Sequence, residues 1–302
     1  LIKMQEEKPI ILNYNSASSL RSFLQSEGLG MRKKYGQNFL LNSGIRHALV
    51  NALEAEAGAE VWEIGAGLGA MTALLLEKGL LVRAFEIDCG FSRLLKGLFS
   101  GSENFFLVEG DVMKTWPSQK PASYLLGNLP YNIAAALIAD LIEKGRLFTR
   151  MVVTVQREVA LRMYAKAGSA DYSSFSVLCS LFYKVKPLML IRSGSFYPRP
   201  NVDSSGVLLE RRSEIVSCPD LFFPLLRALF SSRRKTIKNN LSAFIASKFG
   251  KPREVTEKIC TRLLAEFGLA GNERAEILEP QAFLSLSNLL LEILPDECKH
   301  CR

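Results

Sequence analysis

From Ser43 onward, Ile45, Ala48, Leu49, Ala52 and Leu53 recur at helical spacing. Beyond residue 59 the pattern becomes short apolar runs separated by helical periods. Residues 61–64, 81–87, 105–108, 124–126 and 151–155 predict strands, and residues 70–77, 91–99, 133–143 and 158–165 predict helices. Such alternation marks an α/β fold, a parallel sheet with helices on both faces. Two further runs, 185–191 and 205–209, are close enough in sequence to pair as antiparallel strands. After Arg211 and Arg212 only helical periodicity continues, over 221–230, 237–249, 255–267 and 282–293. We therefore expect an α/β domain over 31–212 and a small all-helical C-terminal domain over 213–302. Upstream, residues 1–15 are polar and irregular and read as a loose tail. Residues 16–27 read as a short helix stopped by Gly28 and Gly30, which makes 1–30 an N-terminal tail and short helix.

Composition narrows the partners. The 302 residues suit two domains, and 48% hydrophobic content supports a sizeable core. Lys+Arg 38 against Asp+Glu 30 gives a net charge of +8, which fits a polyanionic partner, most often nucleic acid, or a merely basic protein. Six cysteines are scattered without a disulfide framework, as in a reducing cytoplasm. Cys298-Lys299-His300-Cys301 resembles half a metal site but has no second pair nearby, and no metal is assigned. With only two histidines, one of them His47 on a helix, histidine-dependent metal or triad chemistry is disfavoured. No apolar run reaches bilayer length, and no signal-peptide core opens the chain.

The candidate chemistry lies at strand ends. Glu63-Ile64-Gly65-Ala66-Gly67-Leu68-Gly69 joins the first strand to its helix, and glycines there allow a tight turn and close ligand approach. The spacing is G-x-G-x-G, not the G-x-G-x-x-G of dinucleotide binders. Glu86 ends the second strand, where a carboxylate accepts from ribose hydroxyls. Gly110-Asp111 ends the third, where a carboxylate can accept from an adenine amino group. Asn128-Leu129-Pro130-Tyr131 ends the fourth. Pro130 stiffens that loop, which presents an amide, carbonyls and an aromatic face together. It reads either as a receptor for a base carrying an amino group or as a proline turn with a structural tyrosine. Taken in order, the set favours S-adenosylmethionine over NAD. Upstream, Arg32-Lys33-Lys34 precedes the amide-rich Tyr35-Gly36-Gln37-Asn38-Phe39-Leu40, a lid over a ligand or an exposed linker.

These motifs, in this order, resemble the KsgA-type small-subunit ribosomal RNA adenine dimethyltransferases. The resemblance runs from Lys33 to Leu286. It includes Gly36-Gln37-Asn38-Phe39-Leu40 and two long signatures. One is Phe196-Tyr197-Pro198-Arg199-Pro200-Asn201-Val202-Asp203-Ser204. The other is Phe230-Ser231-Ser232-Arg233-Arg234-Lys235-Thr236-Ile237-Lys238-Asn239-Asn240-Leu241. Ala66 and Met71 depart from residues common in the family and remove no polar contact. The resemblance implies a Rossmann-like class I methyltransferase sheet followed by a helical RNA-binding domain. It implies S-adenosylmethionine-dependent N6,N6-dimethylation of two adjacent adenosines in a hairpin near the 3′ end of 16S rRNA. The expected substrate is an immature small ribosomal subunit, and the expected form of the enzyme a cytoplasmic monomer. Asn38, Leu40, Gly65, Gly67, Glu86, Asp111 and Asn128 are expected to line the cofactor pocket.

Asn128, Leu129, Pro130 and Tyr131 are expected to hold the target base. Phe196 is expected to stack on its other face, with core packing as the alternative. Pro198 and Pro200 favour a stiff exposed loop that presents the ring. Lys33, Lys34, Arg199, Arg233, Arg234, Lys235 and Lys238 are the expected phosphate contacts, or else a solvated charged face. Arg234 and Lys238 would share a face if their segment is helical. Competing readings are a methylase of 23S rRNA or DNA and a non-catalytic ribosome-assembly factor. The 23S enzymes commonly carry isoleucine in place of Leu129 and lack the Arg-Arg-Lys signature.

Overall fold

The computed structural model describes residues 12–32, 35–214 and 216–299, with side chains up to residue 294. Its strands are β1 (Phe39–Leu40), β2 (Glu60–Ile64), β3 (Leu81–Glu86), β4 (Phe105–Glu109), β5 (Tyr124–Asn128), β6 (Arg150–Gln156), β7 (Tyr183–Ile191), β8 (Phe196–Tyr197) and β9 (Ser204–Arg211). Its helices are α1 (Ala17–Ser26), α2 (Ser43–Asn51), α3 (Ala70–Glu77), α4 (Cys89–Phe99), α5 (Val112–Thr115), α6 (Ala134–Glu143), α7 (Arg157–Met163), α8 (Ser174–Phe182), α9 (Phe222–Leu229), α10 (Ile237–Phe249), α11 (Arg253–Glu266) and α12 (Pro280–Lys299). Among the described residues no helix is long and apolar enough to cross a membrane.

A seven-stranded sheet runs in the order β4-β3-β2-β5-β6-β9-β7. The pairs β4–β3, β3–β2, β2–β5 and β5–β6 are parallel, and β9 returns antiparallel to β6. Burial explains the composition of each strand. Central β6 reads Met-Val-Val-Thr-Val, and all five residues are buried, as expected when helices cover both faces. Edge strand β4 leaves Phe106 exposed beneath the Arg83 guanidinium, 5.5 Å from its ring centroid. The β6–β9 register is pinned where Arg150 faces Glu210, with a 2.6 Å ion pair. The chain order reverses between β2 and β5, so the carboxyl ends of β2 to β5 open on the crevice where ligands of such sheets bind. A second, two-stranded ribbon pairs β1 with β8 antiparallel, matching Leu40 with Phe196 and Phe39 with Tyr197.

The chain divides into two compact units, whose last change falls between Glu210 and Arg211, beside the boundary expected near residue 212. One comprises Leu1–Ile138, Arg146–Ala160 and Lys186–Glu210; the other comprises Ala139–Gly145, Leu161–Val185 and Arg211–Arg302. The second unit thus takes segments from inside the expected α/β domain. One of them holds α8, which the strand-and-helix pattern does not predict. Seven of its nine residues, Phe175 to Cys179 with Leu181 and Phe182, are buried, and it packs against α12. The same unit is locked by the Tyr172 hydroxyl donating to the Leu278 carbonyl (2.8 Å) and by the Phe230 ring between those of Tyr172 and Phe283. Asn240, buried on α10, donates to the carbonyls of Leu229 (2.8 Å) and Ser232 (3.2 Å), which fixes the turn before that helix.

The short helix expected over residues 16–27 is α1, and of the tail expected before it only residues 12–15 are described. Ser16 caps α1, accepting from the Ser19 amide at 3.2 Å. Leu20 and Leu24 pack in a cluster with Leu68, Phe91 and Leu94. Ahead of the helix, the Tyr14 hydroxyl donates to the Leu68 carbonyl at 3.0 Å.

Candidate active site

A cavity of about 280 Å³ opens at the carboxyl ends of β2 to β5. Asn38, Leu40, Gly65, Gly67, Glu86, Asp111 and Asn128 all line it, so seven residues spread over the first 128 positions converge on one site. The glycine turn between β2 and α3 needs its glycines. Gly67 has φ +57°, and a Cβ there would sit 3.1 Å from the Phe39 ring. Its amide donates to Glu86 Oε2 at 2.8 Å, while the Asp88 amide donates to Glu86 Oε1, also at 2.8 Å. Each carboxylate oxygen keeps a further lone pair, suited to a ligand hydroxyl. Burial raises the Glu86 carboxyl above its ordinary range, the Asp88 charge adds to the rise, and the backbone N–H groups of Asp88, Gly67 and Ile87 oppose it.

Asp111 caps α5, with Oδ1 accepting from the Met113 amide at 3.0 Å. Its second oxygen has no partner among the described residues, leaving an acceptor on the cavity wall. Glu63 is 3% exposed and accepts the Thr72 hydroxyl at 2.6 Å. Burial pushes its carboxyl up to about 7, Thr72 opposes the shift and Glu86 adds to it. The donor set is therefore rich in acceptors: two carboxylates placed for hydroxyls and amines, a half-neutral third, and a glycine cradle that any side chain would fill. It fits the adenosine, sulfonium and ammonium groups of S-adenosylmethionine.

Asn128 ends β5, and its Nδ2 donates to the Asn38 carbonyl at 2.7 Å. A carbonyl can only accept, so the amide orientation follows: Nδ2 is held by Asn38, and Oδ1 is left as an acceptor. The next residue, Leu129, donates its N–H to the Thr154 carbonyl (3.0 Å), and its side chain is buried. Gly127 makes room for it, since a Cβ at 127 would lie 2.6 Å from Leu129 Cδ2. Among the described residues the Leu129 carbonyl accepts no hydrogen bond. Pro130 lines the cavity, and its carbonyl receives the Ile133 and Ala134 amides that open α6. Tyr131 is half-buried, with its hydroxyl bonded to that of Ser204 at 2.8 Å. Ser204 thereby ties the tyrosine to the start of β9, the end of the long signature over 196–204.

Phe196 is not presented on an exposed loop. It is 3% exposed and packs in the core that contains Leu40, Leu49, Val50, Ile191 and Leu208. Pro198 and Pro200 stiffen the chain after the ribbon, whereas residue 196 is itself a ribbon position facing inward. Its neighbour Tyr197 points the other way, as strand alternation requires, and its hydroxyl accepts from Arg21 Nε at 3.3 Å.

The expected phosphate contacts separate into different situations. Arg199 is exposed and donates to the Ser193 hydroxyl at 3.0 Å. Arg233 is engaged by Glu276 (2.9 Å) and the Ala170 carbonyl (2.8 Å). Arg234 and Lys235 are exposed, with no ion pair among the described residues. Lys238 is half-buried on α10. Arg234 and Lys238 do not share a helix face, because Thr236 caps α10 and residues 233–235 form the preceding turn. Lys33 and Lys34 lie outside the described residues, as do the side chains of the Cys298–Cys301 segment.

Three polar residues of the cavity, Tyr14, Arg46 and Asn132, belong to none of the sequence motifs. For Arg46 a signal was present. It falls on the apolar stripe of α2 with Leu49 and Val50, where a charged residue is out of place unless it has a specific partner. Tyr14 carries no comparable local signal.

Comparison with known proteins places this geometry in a family. Residues 28–282 match the family described as ribosomal RNA adenine dimethylase. The ribosomal RNA small subunit methyltransferase A of Treponema denticola is 46% identical over 288 residues, covering 92% of this chain and 96% of that one. A dimethyladenosine transferase from Plasmodium falciparum superposes with a TM-score of 0.71 at 28% identity, covering 85% of this chain and 97% of its own. The 23S rRNA methyltransferase ErmE shares the fold, with a TM-score of 0.58 at 22% identity over 83% of this chain and 98% of its own. The matched span contains the glycine turn, both strand-end carboxylates, the Asn128 loop and the Arg-Arg-Lys signature, and the chain belongs to the ribosomal RNA adenine dimethylase family.

Proposed function

We propose that this protein transfers methyl groups from S-adenosylmethionine to the N6 amines of two adjacent adenosines in a hairpin near the 3′ end of 16S rRNA. The product is N6,N6-dimethyladenosine, made on an immature small subunit by a monomer in the cytoplasm. The observation that carries the reading is the fixed Asn128 amide, whose Nδ2 is held by the Asn38 carbonyl while Oδ1 remains an acceptor at the cavity wall.

An adenine amine is a poor nucleophile because its lone pair is delocalised into the ring. Hydrogen bonds from its two N–H groups to Asn128 Oδ1 and the Leu129 carbonyl favour a more tetrahedral nitrogen. The lone pair is then free to attack. The bound donor supplies a methyl group on a positively charged sulfur. That methyl would pass to the nitrogen with the neutral thioether as leaving group and the amine proton going to water, so no strong base is asked of the protein. The protein acts through position and electrostatics. To reach the loop the base must leave its stack, and Tyr131, steadied by Ser204, offers a face for it. With its ring in the core, Phe196 shapes the ribbon that carries Leu40 and is not assigned to the base. Lys33, Lys34, Arg199, Arg233, Arg234, Lys235 and Lys238 are proposed to meet RNA phosphates, and the exposed Arg234 and Lys235 are the best placed of those described.

Asn128→Ala tests the reading. At saturating S-adenosylmethionine, transfer to unmethylated small subunits is expected to fall about 100-fold or more, as when a preorganised polar group is removed from an active site. Near-normal transfer by this variant would remove the amide from the mechanism.

A further inference from the structure

Among the described lining residues, one charged group is not used by the strand-end motifs. Arg46 lies on α2 and is 5% exposed. One terminal nitrogen donates to the carbonyls of Leu40 (2.6 Å) and Leu41 (2.7 Å), and the other donates to Asn15 Oδ1 (2.7 Å). Its Nε is buried and has no acceptor. The guanidinium also sits 5.8 Å from the centroid of the Tyr14 ring, and Tyr14 is itself fixed by its bond to the Leu68 carbonyl. Among the described residues its partners are thus carbonyls, an amide and a ring, with no carboxylate. Burying a guanidinium is costly unless an anion faces it, and desolvation pushes this one below its ordinary pKa.

The charges around the cavity indicate what that anion is. Among the described lining residues, Glu63, Glu86 and Asp111 are acidic, and Arg46 alone is basic. S-adenosylmethionine carries two cationic groups and one anion, its α-carboxylate. Acids suit the hydroxyls, the adenine amine and the ammonium group; only a cation suits the carboxylate. We propose that Arg46 is the receptor for the α-carboxylate of the methyl donor, held in position by Tyr14 and Asn15. This rests on the functional reading above and extends it to the methionine end of the ligand. The segment ahead of α1 then closes the cavity and aims the cation in its wall.

The proposal is tested by calorimetric titration of the full chain with S-adenosylmethionine and with decarboxylated S-adenosylmethionine. The unmodified protein is expected to bind the carboxylate-bearing ligand about 10- to 100-fold more tightly, the range of a charge-assisted hydrogen bond. Arg46→Met should abolish that preference by weakening S-adenosylmethionine alone, and Arg46→Lys should retain part of it. Equal affinity of the unmodified protein for the two ligands overturns the proposal without any variant. So does an Arg46→Met variant that loses both ligands in parallel, which would make Arg46 a structural pin. If the unmodified protein binds neither ligand, the functional reading fails and this proposal with it.

Discussion

The two sides of the cavity are built differently. On the strand-end side, Gly65, Gly67, Glu86, Asp111 and Asn128 each sit within a short motif, and the parallel register of β2 to β5 places them side by side. On the covering side, Tyr14 reaches Leu68 across 54 residues and Arg46 reaches Asn15 across 31. The first side is specified by local sequence and a repeated topology. The second exists only once the chain has folded back on itself. Ligand-reading groups can therefore arise from either source, and a motif search finds only the first.

The largest effect that sharpens this contrast is at Phe196, which joins the covering side through the β1–β8 ribbon. A buried ring in that core predicts that Phe196→Ala costs about 3–5 kcal/mol of stability, and Phe196→Leu about 1 kcal/mol. Urea unfolding of the two variants measures this. A loss below about 1 kcal/mol for the alanine variant, with transfer abolished, would return Phe196 to the role of a presented aromatic.

A smaller effect concerns the strand-end side and Glu63. Its folded pKa of about 7 lies above the ordinary value of 4.5, so the native state holds the proton more tightly than the unfolded chain. Between those values the folded protein binds more protons, and stability falls as pH rises through the window, then levels off. The fall is on the order of 3 kcal/mol for one such fully buried group. Glu63→Gln, which keeps an acceptor for Thr72, is expected to flatten the unliganded stability profile between pH 4.5 and about 7. An unchanged slope in the variant would place the titration elsewhere.

How much was legible follows from the same contrast. A parallel sheet with helices on both faces follows from alternating strands and helices, and Glu86, Asp111 and Asn128 stand out at strand ends, whereas the strand order does not follow from the pattern. The ribbon was not legible, because two-residue strands such as β1 and β8 have no periodicity to detect. Nor was α8, buried on nearly every side and so lacking an amphipathic stripe. The boundary expected near residue 212 therefore left out the earlier segments, 139–145 and 161–185, that the second unit also takes. The helix expected over 237–249 is α10, and the condition under which Arg234 would share its face fails at Thr236, an N-cap whose hydroxyl accepts from the Asn239 amide.

The smallest expected effect lies in the turn at 233–235. Arg234→Ala and Lys235→Ala are each expected to reduce the salt dependence of hairpin RNA binding by about one unit of slope. Transfer to RNA at low salt should change little. An unchanged slope would make both residues a solvated face.

The central claim is tested most directly by incubating the protein with labelled S-adenosylmethionine and small ribosomal subunits that lack the modification, then digesting the RNA to nucleosides. The account predicts label in N6,N6-dimethyladenosine of the small-subunit rRNA. Label confined to large-subunit rRNA in a mixed substrate, or no label in RNA at all, would contradict it.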